Sequence, residues 1–265
     1  MEDFKFKKSF GQNFINDRNI INKIIECSDI KDNSLVIEIG PGSGNLTKEL
    51  SNKATNVLAY EIDDRLEDIL DENLVGCNNV TILFQDFLQS NINDDIKDYN
   101  YEHLYITANI PYYITTPIIE KIIKSKLTFD KITLMMQKEV GERFSAKPGS
   151  KSYGSITVFL NYYFYIKKEF MVSRNLFTPK PNVDSIVITL TMKDSRRAKN
   201  EDLFFKVVRS AFQYKRKNIR NNLKNYDLST IEEVLKKYNY DLTVRAEQLN
   251  LDVFIDIADA LNEKN

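Results

Sequence analysis

Apolar runs of strand length recur along the first two-thirds of the chain: SLVIEIG (34–40), NVLAYEID (56–63), VTILFQD (80–86), HLYITANI (103–110) and KITLMMQK (131–138). Their apolar residues are consecutive rather than alternating, the pattern of strands covered on both faces. Segments such as GNLTKELSNK and TPIIEKIIKS, with apolar residues at helical spacing, lie between them. Strand and helix in alternation predict an α/β fold with a doubly wound sheet. VDSIVITLTM (183–192) reads as one more strand, closing this domain, while 154–166 suits helix and strand equally. Beyond about residue 195 the pattern turns helical, in EDLFFKVVRSAF, LSTIEEVLKKY and LDVFIDIADALN. A boundary near residue 194 therefore divides the chain into a sheet domain, 1–194, and a small all-helical domain, 195–265.

Composition narrows the picture. The 265 residues, 42% hydrophobic and 28% charged, suit a globular protein and exclude a disordered one. No apolar run has the length of a membrane span, and MEDFKFKKSF lacks the apolar core of a secretory signal and the composition of an organelle leader, so no membrane association and a cytoplasmic location are expected. Cys27 and Cys77 make neither a disulfide framework nor a metal-ligand set and are expected as buried thiols in a reducing compartment. The single histidine, His103, removes Ser-His-Asp, Cys-His and His-rich metal sites, so no metal is expected. His103 opens a strand and is read as incidental. The formal net charge of −1 hides an uneven distribution: residues 195–224 hold ten Lys/Arg against two Asp/Glu, and residues 225–265 hold four against nine. Such a basic block is either a solvated helix face or an electrostatic footprint for a polyanion.

Candidate chemistry begins at VIEIGPGSGNLT, a strand, a glycine-rich turn and a helix start. Gly40, Gly42 and Gly44 let backbone approach a ligand where a Cβ would collide. Position 45 is Asn rather than the third glycine of a dinucleotide fingerprint, so a ligand without phosphates is favoured over a pyrophosphate, although a nucleotide-phosphate site stays open. Glu61, about twenty residues past the first glycine, stands where an acidic side chain accepts from ribose hydroxyls. Asp86, at the end of the third strand, can accept from an adenine amino group. Each carboxylate alone is an ordinary solvated strand end. Three consecutive strand ends bearing a glycine loop, Glu and Asp instead suit an adenosine with a cationic centre, which is S-adenosylmethionine.

The fourth strand delivers NIPYY (109–113) to the same sheet edge. The amine of adenine is a poor nucleophile because its lone pair is delocalised into the ring. The Asn109 side-chain oxygen and the Ile110 carbonyl can hold its hydrogens, Pro111 fixes the turn, and Tyr112 offers a face on which an extruded base stacks. In-line transfer from a sulfonium then needs alignment rather than a strong base. The structural alternative is a β-turn built by Asn and Pro with buried tyrosines; the glycine loop upstream tips the reading toward amine methylation. In the basic block, Phe204, Val207, Val208 and Ala211 fall on one helical face, which leaves Lys206, Arg209, Lys215, Arg216, Lys217 and Arg220 to meet phosphates, with Lys5, Lys7 and Lys8 extending the patch.

NIPY after a glycine loop resembles the signature of amino-group methyltransferases acting on adenine, cytosine or amide nitrogen. More of the chain is similar to one family, the ribosomal RNA adenine dimethyltransferases: KKSFGQNFIND (7–17), QKEVGERFSAKPGSKSYGSITV (137–158), LFTPKPNVDSIV (176–187), RSAFQYKRKNIRNNL (209–223) and RAEQLNLDVFIDIADAL (245–261) match in order and spacing. Thr-Pro in NIPYYITTP, with PGSKSYG and RAEQL, resembles the branch acting on small-subunit RNA; the branch that modifies large-subunit RNA and gives macrolide resistance usually has Asp for that Pro. The resemblance implies a Rossmann-like class I methyltransferase sheet and S-adenosylmethionine-dependent dimethylation of two adjacent adenosines near the 3′ end of 16S ribosomal RNA, within a pre-30S particle; a monomer is the default expectation. It implies that Asn13 and Ile15 touch the cofactor, that Gly40, Glu61, Asp86 and Asn109 complete its pocket, and that Phe177 sandwiches the target base opposite Tyr112. Tyr113 stands where the family often has Asn, so no role is carried to it. The resistance-type large-subunit enzyme and a non-catalytic assembly factor that kept the fold are the alternatives.

Overall fold

The computed structural model describes residues 13–110, 114–194 and 197–264. A short strand β1 (Phe14–Ile15) leads into α1 (Arg18–Ser28), whose first turn is closed by Asp17, accepting from Ile20 N at 3.0 Å. Then follow β2 (Ser34–Ile39), α2 (Asn45–Ser51), β3 (Asn56–Glu61), α3 (Glu67–Asn73), β4 (Val80–Phe84), α4 (Ile92–Ile96), β5 (His103–Asn109), α5 (Thr115–Lys124) and β6 (Lys131–Gln137). The chain continues through α6 (Lys138–Phe144), α7 (Ser155–Tyr163), β7 (Phe164–Val172), β8 (Phe177–Thr178) and β9 (Ser185–Met192).

The main sheet has seven strands in the order β4-β3-β2-β5-β6-β9-β7, and β1 pairs separately with β8. Strands β4, β3, β2, β5 and β6 run parallel, and β9 is antiparallel to β6. Every residue of β2 is buried, as a strand covered on both faces requires. The chain steps outward from β2 to β4 and returns to β5 on the other side of β2. That reversal opens a crevice beyond the carboxyl ends of β2 and β5, where ligands of such sheets bind. Ile39 pairs with both Tyr60 and Ala108, so Gly40, Glu61 and Asn109, each one residue further on, stand level along this edge.

The chain forms two compact units: residues up to 141 with 166–192, and residues 142–165 with those from 193 onward. The second unit holds α8 (Glu201–Ala211), α9 (Ile219–Asn222), α10 (Leu228–Lys237) and α11 (Leu251–Glu263). It also takes in α7, which a boundary drawn at residue 194 leaves with the sheet. The reason is packing: Val158 and Tyr162 of α7 share one core with Phe204, Val207, Leu235 and Phe254, and the rings of Tyr162 and Phe204 stack at 4.6 Å. The ambiguous stretch 154–166 proves to be both helix and strand, α7 passing directly into β7. Strand β7 is at a sheet edge and exposes Tyr165, Lys167, Lys168 and Met171, so its sequence lacks the apolar run of a central strand. Cys27 and Cys77 are half-buried free thiols rather than fully buried ones, and burial pushes the Cys27 thiol above its ordinary value. Among the described residues no helix is long and apolar enough to cross a membrane.

Candidate active site

The glycine loop joins β2 to α2 and lines the crevice with Phe14, Ile15, Glu38, Pro41, Ser43, Leu46 and Asn109, around about 290 Å³ of space partly open to solvent. Gly40 and Gly42 have φ of +73° and +60°, a region that disfavours side chains with a Cβ. A Cβ on Gly42 would also stand 2.8 Å from the Phe14 ring, so this glycine is where the N-terminal strand packs onto the loop. Among the described residues, a Cβ on Gly40 would meet no atom within 4 Å beyond its chain neighbours. Gly40 lines the crevice, and the volume it leaves free belongs to that crevice.

Glu61 is buried, and both oxygens of its carboxylate are held by backbone donors. Oε2 accepts from Gly42 N at 3.1 Å and Oε1 from Asp63 N at 2.9 Å, which ties the end of β3 to the glycine loop. Burial raises its pKa; the two backbone donors oppose that rise and the neighbouring Asp63 carboxylate adds to it. Asp63 itself is buried against Arg65, which donates Nε to Oδ1 at 2.8 Å and Nη2 to Oδ2 at 2.6 Å. Between these acids Ile62 is 51% exposed, an apolar surface suited to one side of a flat heterocycle. Sequence reading passed over Ile62, because a strand-end isoleucine is ordinarily core.

Asn109 ends β5 half-buried. Its Nδ2 donates to the Asn13 carbonyl at 2.9 Å, which fixes the amide so that Oδ1 is left as an acceptor, with no donor to it among the described residues. The N-terminal segment is held twice more. Asn45 donates Nδ2 to Ile15 O at 3.1 Å and to Asn16 Oδ1 at 2.8 Å, and β1 pairs with β8 through Ile15↔Phe177. Asn45, where a dinucleotide site would have glycine, thus fastens the N-terminal strand over the loop. Asn13 and Ile15 meet the site through these backbone carbonyls, and the Ile15 side chain lines the crevice.

Glu38 was missed by sequence reading. It lies one residue before Ile39 in a wholly buried strand, where its type is unexpected, and it lines the crevice at 1% exposure. Oε2 has no hydrogen-bond partner among the described residues. Burial pushes the carboxyl up to about 8; the nearby Thr47 hydroxyl opposes this and the Glu61 charge reinforces it. A buried carboxyl with an orphaned oxygen at a cavity wall fits a cationic ligand group. The only signal in the sequence was a Glu flanked by Ile37 and Ile39 just before a glycine loop.

The remaining candidates are placed less directly. Asp86 lies two residues beyond β4, half-buried, with Oδ1 accepting from Leu88 N at 2.8 Å. It and Glu61 stand on the same sheet edge as the crevice but are not among its lining residues. Phe177 is 4% exposed and packs in the core with Ile15, Val172 and Val187. Pro111, Tyr112 and Tyr113, like Lys5, Lys7 and Lys8, lie outside the described residues. His103 sits at the opposite end of β5, its Nδ1 2.8 Å from Asp130 Oδ1, away from the reactive edge.

In the helical unit, Phe204, Val207, Val208 and Ala211 are buried, while Lys206, Arg209, Lys215, Arg216, Lys217 and Arg220 are all exposed. The cations do not form one continuous helix. α8 ends at Ala211, and a turn carries Lys215, Arg216 and Lys217 to α9. The loop at 147–151 comes alongside, with Lys215 Nζ 3.5 Å from Lys151 O, and adds the exposed Lys147 and Lys151 to the same unit.

Comparison with known proteins bears on this arrangement. A family model described as ribosomal RNA adenine dimethylase matches residues 3–263. Ribosomal RNA small subunit methyltransferase A of Streptococcus pyogenes serotype M18 is 43% identical over 270 residues, spanning 98% of this chain and 93% of that protein. The crystal structure of a dimethyladenosine transferase from Plasmodium falciparum superposes with a TM-score of 0.79 at 28% identity, covering 95% of this chain and 98% of the other. That of the 23S rRNA methyltransferase ErmE gives 0.77 at 26% identity, over 94% and 100%. A match this continuous, through both the sheet and the helical unit, is one of family and not merely of fold: the chain belongs to the ribosomal RNA adenine dimethylases.

Proposed function

We infer that the protein dimethylates the exocyclic amines of two adjacent adenosines near the 3′ end of small-subunit (16S) ribosomal RNA, using S-adenosylmethionine. The observation that carries this reading is the Asn109 amide, locked through Nδ2 onto the Asn13 carbonyl at 2.9 Å so that its oxygen is left as acceptor beside the glycine-loop crevice. The small-subunit target is favoured over the large-subunit one by the 43% identity to a small-subunit methyltransferase, against 26% to the 23S enzyme. The non-catalytic alternative has no account of a crevice lined by a buried carboxyl and an oriented amide.

The residues present fit the cofactor. Gly40 would leave room for it, Glu38 would meet its cationic end, Glu61 would accept from its ribose hydroxyls while holding the loop, Ile62 would lie against its base, and Asp86 would accept from its adenine amine. Bound there, S-adenosylmethionine supplies a methyl carbon made electrophilic by the adjoining sulfonium. Asn109 Oδ1 then accepts a hydrogen from the target amine, with the Ile110 carbonyl as second acceptor, and draws the nitrogen lone pair out of conjugation. Tyr112 is assigned the stacking face, and Pro111 the shape of the turn. No general base is needed, because the nitrogen becomes acidic as it bonds to carbon; alignment and fixed dipoles supply the rate. The exposed cations of the helical unit hold the RNA by its phosphates. The protein works as a monomer on a pre-30S particle.

Labelled-methyl transfer to purified, undermethylated small and large ribosomal particles tests this. Label is expected in the 3′ region of the small-subunit RNA alone. Label only in the large subunit, or none in either despite cofactor binding, would overturn it.

A further inference from the structure

The basic turn between α8 and α9 carries a residue that charge alone does not explain. Tyr214 is 59% exposed, and neither its ring nor its hydroxyl has a partner among the described residues. It is followed directly by Lys215, Arg216 and Lys217, in a stretch with no Asp or Glu between Asp202 and Asp227. Exposed tyrosines on mobile loops are common, but this backbone is not loose. Asn222, 8% exposed, donates Nδ2 to Ala211 O at 2.7 Å and to Tyr214 O and Lys217 O at 3.3 Å each, and its Oδ1 accepts from Tyr214 N at 3.3 Å. Lys217 N donates to Tyr214 O at 2.9 Å and closes the turn. Tyr214 is therefore pinned at both its N–H and its carbonyl. One residue pair back, Phe212 anchors the loop, its ring 6.1 Å from that of Tyr153 and 5.8 Å from that of Phe254.

An aromatic ring held out on a rigid turn loses little conformational freedom when it binds. Cations on the neighbouring residues select a partner that is both flat-ringed and polyanionic. We propose that the turn 212–217 is a stacking contact of the RNA interface, in which an unpaired base lies on the Tyr214 ring while Lys215, Arg216 and Lys217 hold the adjoining phosphates. The inference rests on the reading of the basic surface as an RNA interface. Stacking is indifferent to base identity, so this contact grips without reading sequence.

The test measures binding to undermethylated small ribosomal subunits at fixed magnesium over a range of monovalent salt, for the full chain and for Tyr214→Ala, Tyr214→Leu, Tyr214→Phe and Arg216→Ala. Tyr214→Ala and Tyr214→Leu are each expected to weaken binding roughly tenfold with an unchanged salt slope, since stacking releases no counterions. Tyr214→Phe keeps the ring and is expected to bind like the parent. Arg216→Ala is expected to lower the slope by about one, the signature of a lost phosphate contact. Full retention by Tyr214→Leu would mean an apolar protein contact and would overturn the assignment to RNA. Unchanged binding in Tyr214→Ala beside a weakened Arg216→Ala would remove the stacking contact and leave the RNA interface standing. If Arg216→Ala is also unaffected, the interface reading itself fails.

Discussion

A carboxyl whose buried oxygen has no donor, as at Glu38, is most stable while it carries its own proton. For a pKa raised from the ordinary 4.5 to about 8, the folded protein binds the extra proton between those values, so this contribution to stability is full below 4.5 and is lost as the pH rises through 8. A cationic ligand reverses the preference. Sinefungin binding near pH 7 should release up to one proton, seen by calorimetry as an apparent enthalpy that varies with buffer ionisation heat. Its affinity should rise with pH toward 8 and then level off. Glu38→Gln should bind more weakly and show neither dependence; proton release that survives the substitution would assign it to another group. Asn109 makes a different prediction, because the proposed reaction has its oxygen accept from the target amine. Asn109→Ala should slow methyl transfer about a hundredfold or more. RNA affinity should stay the same, and sinefungin affinity should fall only a few-fold from loss of the Asn13 tether. Single-turnover rates at saturating cofactor separate these effects.

At the scale of elements, the site is made by strand ends brought level. Residues 40, 61 and 109 are far apart in sequence, yet the register of β2 with β3 and β5 puts them on one edge. The glycine loop must then fit between that edge and β1, and two glycines there should fail in distinguishable ways. Gly40→Ala places a methyl where no atom of the described residues beyond its chain neighbours lies within 4 Å, so its expected stability cost is that of the left-handed backbone, about 1–2 kcal/mol. The methyl occupies ligand space, however, and sinefungin binding should be largely abolished. Gly42→Ala carries the same backbone cost and drives a methyl to 2.8 Å from the Phe14 ring, so it should lower the thermal midpoint further. Thermal unfolding with and without sinefungin checks both: a ligand-induced rise in midpoint that persists in Gly40→Ala would contradict the cradle.

For the molecule as a whole, the glycine-loop crevice and the basic surface lie in separate compact units, and their chemistry should separate too. Reversing charge with Arg216→Glu and Arg220→Glu should weaken ribosomal-subunit binding by tenfold or more at moderate salt. Sinefungin affinity should be unchanged, because neither residue belongs to the sheet unit. Equal loss of both activities, measured by filter binding and calorimetry, would refute the division. The second unit is also larger than the helical tail of the sequence, since α7 joins it across residues 166–192 of the sheet unit.

Local pattern determined β2 to β6 and β9, the turns with their glycines and the basic block. Each of these depends on residues close together in the chain: consecutive apolar side chains for a strand with two covered faces, a missing Cβ for a left-handed turn, clustered cations for a surface water can solvate. Only the tertiary structure decided that Glu38 is buried with one oxygen lacking a donor, that Glu61 ties the end of β3 to the glycine loop, that Asn45 fastens β1, that Phe177 belongs to the core, and that α7 packs with the C-terminal helices. Those facts concern which atoms a side chain meets across long stretches of sequence, and burial and hydrogen bonding are properties of that meeting rather than of the residue itself.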